Sequence, residues 1–185
     1  MPRRIPEVLT IDEAQALLKQ PNRYYPTGQR DHVMMKLMLN VGLRPAEVLN
    51  LQWVDVDLMT GKLVVRRGKG GRDRQLWLNA ETLSLLQAWR EAAPPGPYCF
   101  PTLKGKRQND RAFREMVKRR GDKAGIEKDV HPHMLRHTCA TELYRDTHDI
   151  RLVQQVLGHA SVATTMVYTH LVDDHLAQAL QRFGI

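Results

Sequence analysis

Residues 131–170 read HPHMLRHTCATELYRDTHDIRLVQQVLGHASVATTMVYTH and carry the clearest signals for the fold. Pro132 suits the first turn of a helix. Asp149 and Ser161 are of the residue types that cap helix N-termini, and they predict two further helices, the second of which ends near Tyr168. The stretch therefore predicts three consecutive helices joined by short turns.

Helical signals continue on both sides of this stretch. Thr10-Ile11-Asp12-Glu13 is a capping box for a first helix, which Pro21 stops. Apolar residues recur with the period of a helix, and a proline, a cap or an acidic pair marks where further helices begin. We expect these helices near residues 29–40, 45–49, 79–91 and 109–123, and from about 173 onward.

Between the predicted helices, the apolar period shortens toward two. Val54 and Val56 alternate with aspartates, and the runs Leu63–Val65 and Gln75–Leu78 are separated by a glycine-rich turn. We expect these segments to form a small three-stranded antiparallel sheet. Many helices with one small sheet indicate an α+β fold that is mainly α, in a single domain.

The composition is that of a folded, basic protein. Of the 185 residues 42% are apolar, and 28 Lys and Arg against 20 Asp and Glu give a formal charge of +8, which suggests a nucleic acid or an acidic membrane surface as partner. No apolar run resembles a signal peptide or a membrane span. Cys99 and Cys139 are too isolated for a disulfide framework. We therefore expect a cytoplasmic protein with two buried thiols.

His133 and Arg136 are three residues apart on a predicted helix and share a face. A histidine beside a guanidinium fork suits a phosphate, although for the pair alone a surface histidine and an ion-paired arginine are the favoured explanation. His133 and His137 also have the spacing of a zinc site. Because no glutamate lies between them and no cluster of cysteines or of carboxylates lies near them in sequence, we expect no metal.

Tyr168 follows His159 by nine residues. Such a tyrosine is more often part of a core than a nucleophile, since a side chain with a pKa of about 10 needs cations or a base nearby to react. Arg44 with Glu47 three residues later, and Lys69 in a hairpin loop, are candidate cations. An exposed salt bridge and a solvated turn are the simpler explanations of these two features.

Together these side chains suggest one reaction. Two arginines, two histidines, one lysine and one tyrosine are the groups that metal-free phosphodiester transesterification needs. The arginines can neutralise the non-bridging oxygens, a histidine can accept the tyrosine proton, and the lysine can protonate the leaving oxygen. No cofactor is required.

The same residues, in this order, resemble the tyrosine recombinase (phage integrase) family. The resemblance spans nearly the whole chain, and the combination is specific although each motif alone is weak. It implies the catalytic fold of the DNA breaking-rejoining enzymes for residues 1–185. The matching motifs are Gly42-Leu43-Arg44-x-x-Glu47-x-Leu49-x-Leu51, Gly68-Lys69-Gly70, His133-x-Leu135-Arg136-His137, Leu157-Gly158-His159 and Thr164-Thr165-x-x-Tyr168-Thr169-His170.

The resemblance also implies a role for each matched residue. Tyr168 looks like the nucleophile that forms a 3′-phosphotyrosine and releases a 5′-hydroxyl, without ATP or a metal ion. The other roles are a phosphate clamp for Arg44 and Arg136, general acid for Lys69, general base for His133, a further donor to the phosphate for His159, and support of the first arginine for Glu47.

Family members act on double-stranded DNA, which implies integration or excision of a mobile element or phage, with inversion or dimer resolution as alternatives. They usually carry an N-terminal core-binding domain, which we expect to be absent here. They also pass the last helix to a neighbour in a tetramer, and Leu176, Leu180 and Phe183 suit such a donation, although a monomer whose helix folds back is equally open. We expect DNA contacts from Arg72, Arg74, Arg111, Arg114, Lys118 and Arg119, although a merely solvated face explains at least half of those on the basic helix.

Two other functions stay open. A type IB topoisomerase uses a similar set of residues, but the short chain and the candidate donor helix count against it. A DNA-binding regulator that has lost catalysis is disfavoured because all six candidate catalytic residues are present.

Overall fold

The computed structural model describes residues 6–66 and 73–171, and these residues form a mainly helical fold with one small sheet. The predicted helices up to residue 157 are confirmed, with ends that differ by a few residues. The helices are α1 (Ile11–Lys19), α2 (Pro26–Val41), α3 (Pro45–Asn50), α4 (Ala80–Ala92), α5 (Asp110–Lys123), α6 (Pro132–Thr147) and α7 (Ile150–Leu157). The helix predicted from about residue 173 lies outside the described residues.

The sheet has two strands among the described residues, β1 (Lys62–Val65) and β2 (Arg74–Trp77), which pair antiparallel. The predicted third strand is wrong. Trp53–Asp55 is a 3₁₀ turn, and Val56 alone forms a bridge to Leu63. The reason is local. The Asp57 carboxylate accepts hydrogen bonds from the backbone N–H groups of Met59 and Thr60, which starts a turn directly after the bridge.

The helix predicted from Ser161 to Tyr168 is instead two 3₁₀ segments, Val162–Thr164 and Met166–Leu171. Backbone bonds from Thr165 to Val162 and from Tyr168 to Thr165 have the i to i+3 spacing of a 3₁₀ helix. The segment is rich in β-branched residues, which have low helix propensity. It packs against α6 and brings Tyr168 under that helix.

Helix α2 lies at the centre of the fold and packs against α6, α4, α1 and α3. A second, smaller cluster lies beneath α6 and α7 and contains Ala140, Val153, Leu157 and Tyr168. Cys99 and Cys139 are buried free thiols, as the sequence predicted. Across the described ranges, none of the helices is long and apolar enough to cross a membrane.

Candidate active site

The carboxylate of Glu47 lies at the centre of three arginine side chains. Arg44 donates from Nη1 at 2.9 Å, and Arg74 donates to both oxygens at 2.8 and 2.7 Å. Nη1 of Arg136 is 4.0 Å from the same carboxylate. Three guanidinium charges against one carboxylate leave two positive charges in excess, which suits an anion.

The sequence places Glu47 for this task. It is the third residue of α3, whose N-cap is Arg44, and its Oε2 accepts the backbone N–H of Arg44 at 2.7 Å. This is the acceptor half of a capping box, so the start of the helix holds the carboxylate beside the arginine. Glu47 thus fixes both the backbone and the side chain of Arg44.

The last carbonyl groups of α7 face the same arginines. The negative end of a helix attracts cations, and its final carbonyls have no partner within the helix. Gly158 ends α7 in a left-handed conformation with φ of 63°. The hydrogen bonds run from Arg74 Nε to Val156 O at 2.9 Å, from Arg136 Nη2 to Leu157 O at 2.8 Å, and from Arg44 Nη2 to Gly158 O at 3.3 Å.

Arg136 is the most buried of the three, with 3% of its surface exposed. It also donates from Nη1 to the carbonyl of Gly42, the left-handed residue that ends α2. Burial, followed by the neighbouring charge of Arg44, lowers the pKa of Arg136 to about 10. Its guanidinium therefore keeps its charge at neutral pH and is held rigidly by the ends of two helices.

Glu47 stays ionised for the opposite reason. Burial alone would raise the pKa of its carboxyl, but hydrogen bonds from Arg74 and from the Arg44 backbone and side chain outweigh burial and lower the pKa to about 2. The carboxylate is therefore a fixed negative charge at any physiological pH.

His159 contacts Arg136 and Thr165. Its Nε2 is 3.2 Å from Nη2 of Arg136, and its Nδ1 is 3.0 Å from the Thr165 hydroxyl. Because a guanidinium can only donate, Nε2 accepts and the ring proton lies on Nδ1. In this conformation, donation from Nε2 to a phosphate requires that this nitrogen be protonated first.

Tyr168 is 1% exposed, and its hydroxyl lies 2.8 Å from Nδ1 of His137. Burial raises the pKa of Tyr168 to about 12 although the charge of Arg136 opposes the shift. Burial, then the charges of His133 and Arg136, lower the pKa of His137 to about 4. Both rings are therefore neutral at pH 7, and the phenol is shielded from any DNA.

His137 is the site residue that sequence reasoning missed. Its spacing from His133 is only a weak metal-site pattern, whereas its partner is a tyrosine 31 residues away in sequence. No local pattern signals such a pair, apart from its place beside Arg136 in the motif. The described part of the chain holds no group of three or more side chains suited to a metal ion.

His133 occupies the first turn of α6, one residue after Pro132, with its side chain exposed. Partial desolvation, followed by the charges of His131, Arg136 and Arg114, lowers the pKa of its imidazole. A neutral, accessible imidazole is able to accept a proton.

The candidate DNA contacts divide into two groups. Arg74 faces inward: its side chain binds Glu47 and is only 9% exposed. In this conformation it is therefore not available to a DNA backbone. The four candidate cations of α5 face solvent: Arg111, Arg114 and Lys118 each pair with a carboxylate, and Arg119 is exposed. Lys69 and Arg72 lie outside the described residues.

Comparison with known proteins shows the relationship of the chain. The sequence profile of the phage integrase family matches residues 7–175. Tyrosine recombinase XerC of Xanthomonas axonopodis pv. citri is 38% identical over 179 residues, which cover 96% of this chain and 58% of that protein. Tyrosine recombinase XerC of Xylella fastidiosa (strain 9a5c) is 38% identical over 178 residues, with 95% and 60% covered. The chain thus spans about three fifths of the length of these curated relatives.

Solved structures of recombinases show the same relationship. The crystal structure of XerA recombinase superposes with a TM-score of 0.86 at 35% identity and covers 100% of this chain and 68% of that one. XerH site-specific recombinase, bound to palindromic difH substrate in a post-cleavage complex, gives a TM-score of 0.80 at 32% identity, with 97% and 54% covered. The α+β, mainly helical fold expected from the sequence is confirmed. The chain belongs to the phage integrase family, the tyrosine recombinases, as its motifs indicated.

Proposed function

We propose that this chain is the catalytic domain of a site-specific DNA recombinase that cuts and rejoins strands through a covalent bond to Tyr168. The observation that carries the proposal is that Arg44 and Arg136 both bind carbonyls at the end of α7, that Arg136 also contacts His159, and that both guanidinium charges act on the Tyr168 phenol. Fixed cations of this kind stabilise the charge that develops on a phosphoryl group during transfer.

In the proposed reaction the Tyr168 oxygen attacks the phosphorus of one DNA strand. The bond from phosphorus to the 5′ oxygen breaks, and the phenolic proton passes to a base, for which we propose His133. Lys69 supplies the proton that the departing 5′ oxygen needs. Attack of a 5′-hydroxyl on the phosphotyrosine reverses these steps and joins a strand.

Tyr168 must leave its contact with His137 before it can react, because the present conformation buries the phenol. We propose that this step accompanies DNA binding. The apolar residues Leu176, Leu180 and Phe183 follow Tyr168 closely in sequence. Donation of their segment to a neighbouring subunit of a tetramer on DNA is a related proposal, and residues 172–185 lie outside the described part of the chain.

The relatives named XerC, XerA and XerH favour a recombinase of the Xer type over an integrase of a mobile element. Integration, excision, inversion and dimer resolution share one chemistry, so the residues of the site alone do not separate them. The DNA-bound state of the XerH structure supports a double-stranded DNA partner for this chain.

The test is covalent trapping. A pool of short duplexes of randomised sequence, each nicked so that the cut fragment diffuses away, is incubated with the chain, and adducts that survive denaturation are sequenced. We expect a 3′-phosphotyrosine adduct whose peptide contains Tyr168. Tyr168→Phe keeps the buried ring and serves as the matched control, because it lacks the attacking oxygen.

The absence of an adduct with the wild-type chain, or an adduct that Tyr168→Phe still forms, contradicts the proposal. Relaxation of a supercoiled plasmid that lacks the selected sequence separates recombinase from topoisomerase. A site-specific recombinase leaves such a plasmid supercoiled, whereas a type IB topoisomerase relaxes it.

A further inference from the structure

Arg74 makes more contacts with the active-site cluster than its position in a strand requires. It is the first residue of β2, opposite Val65 of β1. Its two terminal nitrogens bind the two oxygens of Glu47 at 2.8 and 2.7 Å, and its Nε binds the carbonyl of Val156 at 2.9 Å. Such a bidentate pair fixes the orientation as well as the position of a carboxylate.

The contacts of Arg74 join three separate parts of the fold. Through Glu47 it reaches α3, which carries Arg44, and through Val156 it reaches the end of α7, whose next carbonyls bind Arg136 and Arg44. Arg74 itself begins the strand that follows Lys69 in sequence. One side chain therefore links elements that, in the proposed reaction, act together on one phosphate.

The alternative role, a contact with the DNA backbone, does not fit this geometry. The Arg74 side chain is 9% exposed, and all three of its guanidinium nitrogens already donate hydrogen bonds. If Arg74 moved to a phosphate, Glu47, whose side chain is only 14% exposed, would lose its two shortest hydrogen bonds from side chains. Breaking a buried ion pair of this type is strongly unfavourable.

We propose that Arg74 is a positioning residue for strand cleavage: it holds Glu47, and through Glu47 it holds Arg44 against the scissile phosphate. This inference rests on the proposed function. It predicts that Arg74 acts through geometry, so that a lysine, which keeps the charge but has no fork, does not replace it.

The experiment measures single-turnover formation of the phosphotyrosine adduct on the nicked duplex selected in the trapping test. We expect Arg74→Ala to slow the reaction roughly 10- to 100-fold, the usual cost of losing a residue that orients a reactive one. Arg74→Lys should be nearly as slow. Arg120→Ala is the matched control, because Arg120 is also a nearly buried arginine paired with a carboxylate, Asp31, but lies away from the site.

Three further readouts separate positioning from a loss of folding. In a Glu47→Gln background, Arg74→Ala should add little further slowing, since residues that act as one unit are not additive. A duplex with a neutral methylphosphonate at the cleaved position needs less charge neutralisation, so the defect of Arg74→Ala should shrink on it. Circular dichroism and melting temperatures compare each variant with Arg120→Ala.

The inference is overturned if Arg74→Lys reacts at the wild-type rate, if Arg74→Ala and Glu47→Gln slow the reaction additively, or if Arg120→Ala slows it as much. A wild-type chain that reacts while Arg74→Ala reacts equally fast overturns this inference alone. A wild-type chain that forms no adduct overturns the proposed function, and the role of Arg74 falls with it.

Discussion

Tyr168, the proposed nucleophile, is buried in a pair with His137. The phenol is buried, its pKa is raised to about 12, and its hydroxyl contacts a histidine whose pKa is lowered to about 4. The pair is stable because burying two neutral, hydrogen-bonded groups does not bury a charge. The phenol is unreactive in this position because burial opposes the loss of its proton. The proposed reaction therefore requires that Tyr168 leave this contact and move toward the cationic cluster.

The burial of Tyr168 is testable by nitration mapped with mass spectrometry. We expect Tyr168 to react far more slowly than Tyr24, which is 84% exposed, or Tyr25, which is 57% exposed. His137→Phe leaves the phenol buried without its partner, at a cost of about 1 kcal/mol or more, so nitration of Tyr168 should speed up roughly fivefold or more. Equal rates for Tyr168 and Tyr24 in the wild-type chain would contradict the buried conformation.

Glu47 gives a prediction about pH. Its pKa falls from 4.5 unfolded to about 2 folded, so its ionisation adds stability that is complete above pH 4.5 and is lost as pH falls through about 2. This pKa difference corresponds to about 3 kcal/mol in the free energy of unfolding. Denaturant unfolding should show Glu47→Gln less stable by about this amount at pH 7, and the gap should narrow as pH falls below 4.5.

Glu81→Gln is the control for this measurement, because Glu81 pairs with Lys36 at a surface where 65% of its side chain is exposed. Such pairs contribute little to stability. A gap between wild type and Glu47→Gln that stays constant between pH 7 and pH 3 would show that the charge of Glu47 does not stabilise the fold.

At the scale of elements, the site is built where helices end. Gly42 ends α2 and Gly158 ends α7, both in the left-handed conformation. The carbonyls at these two ends bind Arg136. The position of the Arg136 guanidinium, the proposed phosphate ligand, therefore depends on how α2 and α7 approach each other.

Gly42→Ala tests this approach. An alanine Cβ at Gly42 would lie 2.8 Å from Cδ2 of Leu157, whose side chain is fully buried and cannot move away freely. Gly125 has a similar φ of +70° but no atom within 4 Å, so Gly125→Ala measures the backbone strain alone, about 1 kcal/mol. Gly42→Ala should cost roughly 1–3 kcal/mol more in the free energy of unfolding. Equal losses would show that the contact with Leu157 is unimportant.

The same scale explains what the sequence could predict. Helices with strong caps, such as α1 after Thr10 and α7 after Asp149, were predicted because capping is a local interaction. The strand predicted at Val54 and Val56 is wrong, because the alternation of apolar residues does not reveal that Asp57 starts a turn. The sequence predicts an α-helix from Ser161 to Tyr168, where the chain forms 3₁₀ segments, because the two helix types have similar numbers of residues per turn.

Within the site, the motif residues were found from their order along the chain, whereas two of their partners were not. The contact between His137 and Tyr168 joins residues 31 positions apart, and that between Arg74 and Glu47 joins residues 27 apart. Only the packed fold brings such residues together. For this reason Arg74 was expected to face DNA, although a buried carboxylate holds it.

At the scale of the molecule, the net charge of +8 overstates the cations available to DNA. Several arginines are paired with carboxylates inside the fold. One is Arg120, whose side chain is 14% exposed and binds the buried carboxylate of Asp31. Arg119, its neighbour on α5, is exposed, and no salt bridge described in residues 6–66 and 73–171 involves it. Position on the helix, more than composition, should therefore decide which cations meet phosphates.

These two adjacent arginines allow a direct measurement of that difference. Each phosphate contact releases counterions, so the logarithm of the DNA association constant falls with the logarithm of the salt concentration by about 0.9 per contact. With a labelled duplex of arbitrary sequence and fluorescence anisotropy at several salt concentrations, Arg119→Gln should reduce the slope by about 1. Arg120→Gln should leave the slope unchanged even where it lowers the stability of the fold, because its guanidinium already faces Asp31. If both substitutions change the slope equally, DNA senses only the total charge of the domain; if neither does, the exposed face of α5 is solvated and the DNA lies elsewhere.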